Sequence, residues 1–196
     1  MKKTITQSMA AALIATASLV VAGGSAAQAD MPCQERSTHQ AFSQWGDDAE
    51  YFLAQNGDFE RGTSGWSLDN AWRVTDQAPW RVNGANDSRA LKIQPGGSAQ
   101  VRMCVTEIED VMRFFYETSR RGGSWQITVA AQTTRGSGMS RVGMGTSSQG
   151  WAVSPKVNIP SVREGDGRVW ITIEIANTGR SSIVIDDVMI DPWRAR

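Results

Sequence analysis

Asn56-Gly57-Asp58-Phe59-Glu60, followed by Gly65-Trp66, decides the fold together with Ile183-Val184-Ile185-Asp186-Asp187-Val188-Met189-Ile190 near the far end of the chain. Asn56-Gly57 is a strong turn signal, because both residues tolerate a left-handed backbone. Beyond it, strand alternation predicts Phe59 pointing inward with Asp58 and Glu60 facing the other way. The later stretch is dominated by β-branched and apolar residues and closes a sheet, with Pro192-Trp193 ending the fold.

Working outward, Glu50-Tyr51-Phe52-Leu53 opens the domain, while residues 30–48 are polar and irregular, with Phe42 and Trp45 as apolar anchors. That segment is expected to lie as an arm over the sheets. Downstream, short strands are expected at 66–68, 71–74 and 90–93, with a loop over 75–89, where Pro79, Gly84 and Asn/Asp pairs break any regular pattern. Ser98–Val105 and Val111–Glu117 follow. Trp125–Gln132 is the cleanest alternating strand, and Val169, Ile171, Ile173 and Ile175 share one face of another. A Gly/Ser-rich connection spans 136–150 with a short strand at 139–142, and Pro155 interrupts 151–159. No helical period follows residue 30. The pattern is an all-β sandwich of about nine antiparallel strands.

The first 29 residues have the form of a secretory signal peptide: Met1-Lys2-Lys3, an apolar run over 9–24, then Ala27-Gln28-Ala29 before Asp30. The expected division is a signal peptide at 1–29, an arm at 30–48 and a sandwich domain at 49–193, secreted and with no membrane span. Formal charge over the 196 residues is zero, and loss of Lys2 and Lys3 leaves the mature chain about two charges negative. Such a surface argues against nucleic acid as a partner. Cys33 and Cys104 both survive processing. An even count in an exported chain favours a disulfide, worth about 4 kcal/mol in the chain-entropy model, over two buried free thiols.

The two opening stretches resemble the galactose-binding-like jelly rolls, a group that includes carbohydrate-binding modules of secreted polysaccharide-degrading enzymes. A fuller pattern is similar to small secreted actinobacterial proteins of unassigned function. It comprises Cys33, the Phe42/Trp45 arm, Tyr51, Phe59-Glu60, Cys104, Arg113-Phe114-Phe115 and Asp186-Asp187-Val188 before Asp191-Pro192. The first resemblance implies a jelly-roll β-sandwich with a structural calcium held by Glu60 and Asp186, with Asp187 as the other candidate. Calcium takes six to eight oxygen ligands from carboxylates and carbonyls, so a site joining first and last strands is chemically sound. The alternative is that these carboxylates cap backbone amides.

Eight tryptophans invite a sugar-binding hypothesis, because an indole stacks on the apolar face of a sugar ring. Trp80, Trp72, Trp125 and Trp151 are the candidate ligand-binding residues. Trp80 leads, lying in a loop beside Arg81 and near Asn83, Asn86 and Asp87, while Trp66 and Trp170 are assigned to the core. Interstrand packing competes with ligand binding at each of the four. Catalysis has less support. His39 is the sole histidine and is expected to be exposed, which excludes a multi-histidine zinc site. Asp58, Glu60, Asp186 and Asp187 could pair for glycoside hydrolysis, but the calcium site uses the same residues. The glycine clusters at 136–138 and 143–145 lack the lysine and helix of a phosphate loop. Non-catalytic binding of a glycan or other cell-envelope component is therefore expected. A protein-binding envelope module comes second and a hydrolase third.

Overall fold

The alternating stretches become ten strands among the described residues: β1 (Phe52–Leu53), β2 (Trp66–Thr75), β3 (Arg89–Thr106), β4 (Val111–Thr118), β5 (Gly123–Gln132), β6 (Ser137–Thr146), β7 (Gly150–Val153), β8 (Val157–Asn158), β9 (Arg168–Asn177) and β10 (Ile183–Ile190). This computed structural model describes residues 33, 36–106, 111–118, 123–133, 136–146, 150–161 and 167–192. The expected export segment and Trp193 lie outside the described residues.

Strand boundaries differ from expectation where glycine lets a strand bend instead of stopping. The two strands expected at 90–93 and 98–105 are one, β3, which runs through Pro95-Gly96-Gly97. Its partner β2 carries a register shift between Asp69 and Ala71, with Asn70 in a left-handed conformation. A Cβ on Gly97 would lie 2.7 Å from the Asp69 carbonyl oxygen, so only glycine lets the two strands turn this corner together. The expected short strand at 139–142 is likewise the ten-residue β6.

The bend divides the strands between two layers. The first layer runs β7–β4–β10, then the 89–93 half of β3 and the 71–75 half of β2, with β8 on β4 and β1 on β10. The second runs β6–β5–β9, then the 98–106 half of β3 and the 66–69 half of β2. All pairings are antiparallel. Between the layers, Trp125 of β5 packs edge-on against Phe114 and Tyr116 of β4, with ring centroids 5.0 and 5.3 Å apart. Ile127, Val129, Ile171, Ile173, Ile183 and Ile185 complete that interior. Each fully buried side chain of this kind contributes about 1.5–3 kcal/mol. The architecture is a jelly-roll β-sandwich.

A second apolar cluster lies on the outer surface of the first layer. Phe115 and Val111 of β4 and Met189 of β10 face outward there, and Ala41, Phe42 and Tyr51 cover them. Phe42 contacts Tyr51 at 4.7 Å and Phe115 at 5.2 Å between centroids. The arm is thus packed as a core element. A disulfide joins Cys33 to Cys104 of β3, with Cα atoms 5.2 Å apart. His39 is half-buried, pairing with Tyr51 as an isolated bridge, and its Nε2 is enclosed, so the expectation of an exposed imidazole fails. The cause is that the arm pairs with the residue leading into β1.

Candidate functional site

The two stretches that open the sequence argument meet in space. Residues 54–62 form successive turns, with Gly57 N–H donating to Ala54 O and Phe59 N–H to Asn56 O. Phe59 is fully buried through a left-handed backbone, φ +56°, so a turn and not strand alternation points it inward. The turn docks on β10: Ala54 N–H donates to Val188 O at 2.8 Å and Val188 N–H to Gly57 O at 3.1 Å. A Cβ on Gly57 would sit 2.7 Å from the Val188 oxygen. Opposite the turn, β10 bulges between Asp186 and Met189, and Asp187 takes φ +48°. The bulge turns two consecutive carboxylates into the space beneath the 76–88 loop.

Three carboxylates tie down that loop. Asp186 Oδ2 accepts from Ala78 N–H at 2.9 Å, and its Oδ1 accepts from Asp187 N–H. Asp187 Oδ1 accepts from Asn83 Nδ2. Glu60 Oε1 accepts from the amides of Ser88 and Arg89, both at 2.6 Å. Glu60 and Asp186 therefore cap backbone amides, the alternative weighed against metal ligation. Asp187, 1% exposed, keeps Oδ2 without a partner, as does the buried Asp87.

Burial raises the Asp186 carboxyl well above its ordinary range, and the charge of Asp187 adds to this. Asp187 is raised by burial and by the charges of Asp87, Asp58 and Glu60, against a lowering hydrogen bond from Asn83. Asp87 is raised by burial and by Glu60. Five carboxylates, those of Asp58, Glu60, Asp87, Asp186 and Asp187, thus bear on one another around two unanswered oxygens. Among the described residues no group of three His, Cys, Asp or Glu side chains is placed to hold an ion by itself. The two unanswered atoms are carboxylate oxygens, the donor type that a hard cation takes. Asp87 is the member that sequence reasoning missed. Its Asn86-Asp87-Ser88 setting marked a loop and gave no sign of which strand it would approach.

Alongside this loop, the outer surface of the first layer carries a row set by register: Trp72 of β2, Lys92 of β3, Val184 of β10, Glu117 of β4 and Trp151 of β7. Four strand spacings separate the two tryptophans, about 19 Å. Trp72 is 46% exposed and Trp151 half-buried. Burial, then the charge of Asp76, raises the Glu117 carboxyl, and Lys92 partly offsets both. Trp80 stands in the adjoining loop, packed on Phe115 at 5.0 Å and edge-on to Trp45 at 4.8 Å. Trp80, Trp72 and Trp151 therefore gather on one surface. Trp125 does not: it is 0% exposed between the layers, because it falls on the inward phase of β5. Trp66 is buried against Phe59. Trp170, expected in the core, faces outward on β9, since the inward phase of that strand belongs to Val169, Ile171, Ile173 and Ile175.

No protein-family model matches the sequence, and no curated protein matches it. Solved structures do. A family 61 carbohydrate-binding module in complex with β-1,4-galactotriose is 18% identical, with a TM-score of 0.44 over 73% of this chain and 98% of that one. The CBM22-1 xylan-binding domain of Xyn10C from Paenibacillus barcinonensis is 12% identical, with a TM-score of 0.47 over 71% and 94%. An arabinose-bound GH51 α-L-arabinofuranosidase is 16% identical, with a TM-score of 0.48 over 71% of this chain but only 26% of the enzyme. Neither the fold nor any site residue is carried over from these proteins.

Proposed function

We propose that this chain is an exported, non-catalytic module that binds extracellular or cell-wall carbohydrate on the outer surface of its first layer, with calcium as a structural ion beneath the adjoining loop. The observation that carries the reading is the row Trp72–Lys92–Val184–Glu117–Trp151. It sets an aromatic ring at each end of a strip about 19 Å long with hydrogen-bonding side chains between them. Sugar rings stack on the indoles, while hydroxyls meet the Lys92 ammonium and the Glu117 carboxyl. The spacing suits a short run of sugars.

Support for the ion comes from the unanswered Asp187 Oδ2 and Asp87 Oδ2. Asp187 and Asp87 are its proposed first ligands, with Glu60 and Asp186 holding the loop around it. Support for export comes from residues 1–29 and the Cys33–Cys104 disulfide. The non-catalytic reading is supported by the engagement of Glu60 and Asp186, two of the four acids considered for hydrolysis, with backbone amides.

Affinity electrophoresis of the mature, oxidised protein against neutral polysaccharides tests the site. Trp72→Ala is expected to abolish retardation with the melting temperature nearly unchanged, because half of that ring is already in solvent. Trp151→Ala is expected to weaken binding at some structural cost, and Trp80→Ala at a larger one, since Trp80 packs on the arm cluster. Retardation that persists in both Trp72→Ala and Trp151→Ala removes this surface from consideration.

A further inference from the structure

The opposite side of the sandwich, the outer surface of the second layer, presents different chemistry. Trp170 of β9 faces outward there, between Cys104 of β3 and Gln132 of β5. Alternation along β9 puts Arg168, Thr172 and Glu174 on the same side. Register sets Arg102 of β3 beside Thr172, and Thr128 of β5 followed by Arg141 of β6 beside Glu174. The Arg102 guanidinium lies 4.9 Å from the Trp170 ring centroid. Gln100 and Gln126 extend the surface with neutral polar groups. One indole thus stands among three arginines, with Glu174 and, at the β2 edge, Asp69 as the acids and the exposed Met139 on β6, on a sheet otherwise made of threonine, glutamine and small residues.

We propose that this second surface binds an acidic polysaccharide, one whose sugar rings carry carboxylates. Trp170 supplies the stacking ring, and Arg168, Arg102 and Arg141 supply the cationic partners. Each part of the ligand class is fixed by a different feature. The indole asks for a flat apolar ring face, which a pyranose has. Guanidinium forks pair with carboxylates through two parallel hydrogen bonds and are less hydrated than an ammonium, so arginines in place of lysines select for planar anions. The threonines and glutamines offer both donors and acceptors, which suits hydroxyls. Arg141 stands two strands across and four residues along from Trp170, about 16 Å away, so a chain lying diagonally over the strands reaches it some way beyond the ring stacked on the indole. Nucleic acid fits less well. Its phosphate density calls for a strongly basic surface, whereas the whole chain carries no net charge. The two surfaces lie on opposite sides of one sandwich, so ligand on one leaves the other open.

Isothermal titration of the mature, oxidised protein with polygalacturonate, its fully methyl-esterified form and a single-stranded oligonucleotide separates the outcomes. Polygalacturonate is expected to bind, more weakly as salt is raised. The ester, which keeps the chain and loses the charge, is expected to bind about tenfold less tightly or worse. Arg168→Gln, at an exposed position that leaves the core untouched, is expected to cost a similar factor, and Trp170→Phe a smaller one. Binding of polygalacturonate that is lost in Trp72→Ala and kept in Arg168→Gln would assign the ligand to the first-layer surface and overturn the proposal. The proposal is overturned by equal affinity for the acid and its ester, by tighter binding of the oligonucleotide, by full retention in Arg168→Gln, or by no binding of polygalacturonate at all.

Discussion

Asp47 and Asp187 are both buried aspartates, 5% and 1% exposed, and their surroundings treat them in opposite ways. Asp47 lies in the arm, where Oδ2 accepts from Tyr51 Oη and pairs with Arg113 Nη1, both at 2.8 Å, while Oδ1 pairs with Lys156 Nζ at 2.8 Å. Burial works to raise its carboxyl, and the bonds from Lys156, Tyr51 and Arg113 outweigh it, so the group is held below the usual carboxylate range. Asp187 has one amide donor, other carboxylates around it, and an oxygen with no partner, and its carboxyl is driven up. Burial alone therefore does not decide the state of an acid. A lock is a carboxylate whose partners come with the fold, whereas the cluster at β10 crowds carboxylates together and leaves the Oδ2 atoms of Asp187 and Asp87 unanswered.

The largest expected effect breaks the lock. Asp47→Ala strands the Arg113 guanidinium and the Tyr51 hydroxyl, and removal of one member of a buried pair costs about 3–5 kcal/mol. Ser154 O also accepts from Arg113, which puts the expected loss at the low end. Denaturant midpoints should fall equally in calcium and in chelator. A loss that depends on calcium would tie the arm to the ion site. Next in size is the ion itself. A ligand that binds only the folded state adds about 2.7 kcal/mol at a hundredfold excess over its dissociation constant. The melting temperature of wild type is accordingly expected to rise clearly with calcium over chelator. No rise would leave Glu60, Asp186 and Asp187 as amide-capping residues alone. Smaller, and sharper in sign, is Asp187→Asn. In chelator it removes a crowded buried charge and is expected to stabilise by about 1 kcal/mol, whereas in calcium it removes a ligand and destabilises. The same sign in both conditions defeats the contrast with Asp47.

The layers and the inner core were legible because alternation is a local signal: Ile171, Ile173 and Ile175, or Ile127 and Val129, announce their face without any knowledge of partners. Which side of the sandwich a strand's other face looks upon is not local. Trp125 and Trp170 exchanged roles for that reason, each misread by its setting when phase against the neighbouring strands decided the matter. Glu60 and the Asp186-Asp187 pair are expected from the resemblance as calcium ligands, and the structure brings them to one loop, where Glu60 and Asp186 cap backbone amides. Asp87 is not expected from it, since only the path of residues 76–88 carries it there. The bent β3 was misread as two strands because Pro95-Gly96-Gly97 is written like a turn, and the close approach to Asp69 that calls for Gly97 is a tertiary fact.

The smallest expected effect is in pH, and it puts both acids in one titration. Asp186, Asp187 and Asp87 are raised in the folded state, so between the ordinary aspartate value of about 3.9 and their native values the folded chain holds more protons than the unfolded one. Stability must then fall as pH rises through that window, and in chelator a change from pH 7 to about 5 is expected to raise the melting temperature by a few degrees. Asp47 contributes nothing to this limb. Its value is lowered, so its stabilisation is complete above about 3.9 and is lost only as pH falls through the lower native value. The chelated protein should therefore show a maximum, its alkaline limb belonging to the β10 cluster and its acid limb partly to the arm. Asp187→Asn flattens the first and Asp47→Ala the second. With calcium bound as proposed, the alkaline limb is expected to reverse, because protons would then compete with the ion for Asp187 and Asp87. A melting temperature that rises from pH 5 to 7 in chelator would mean that the cluster is already satisfied by the chain, and the distinction between the two aspartates would fall with it.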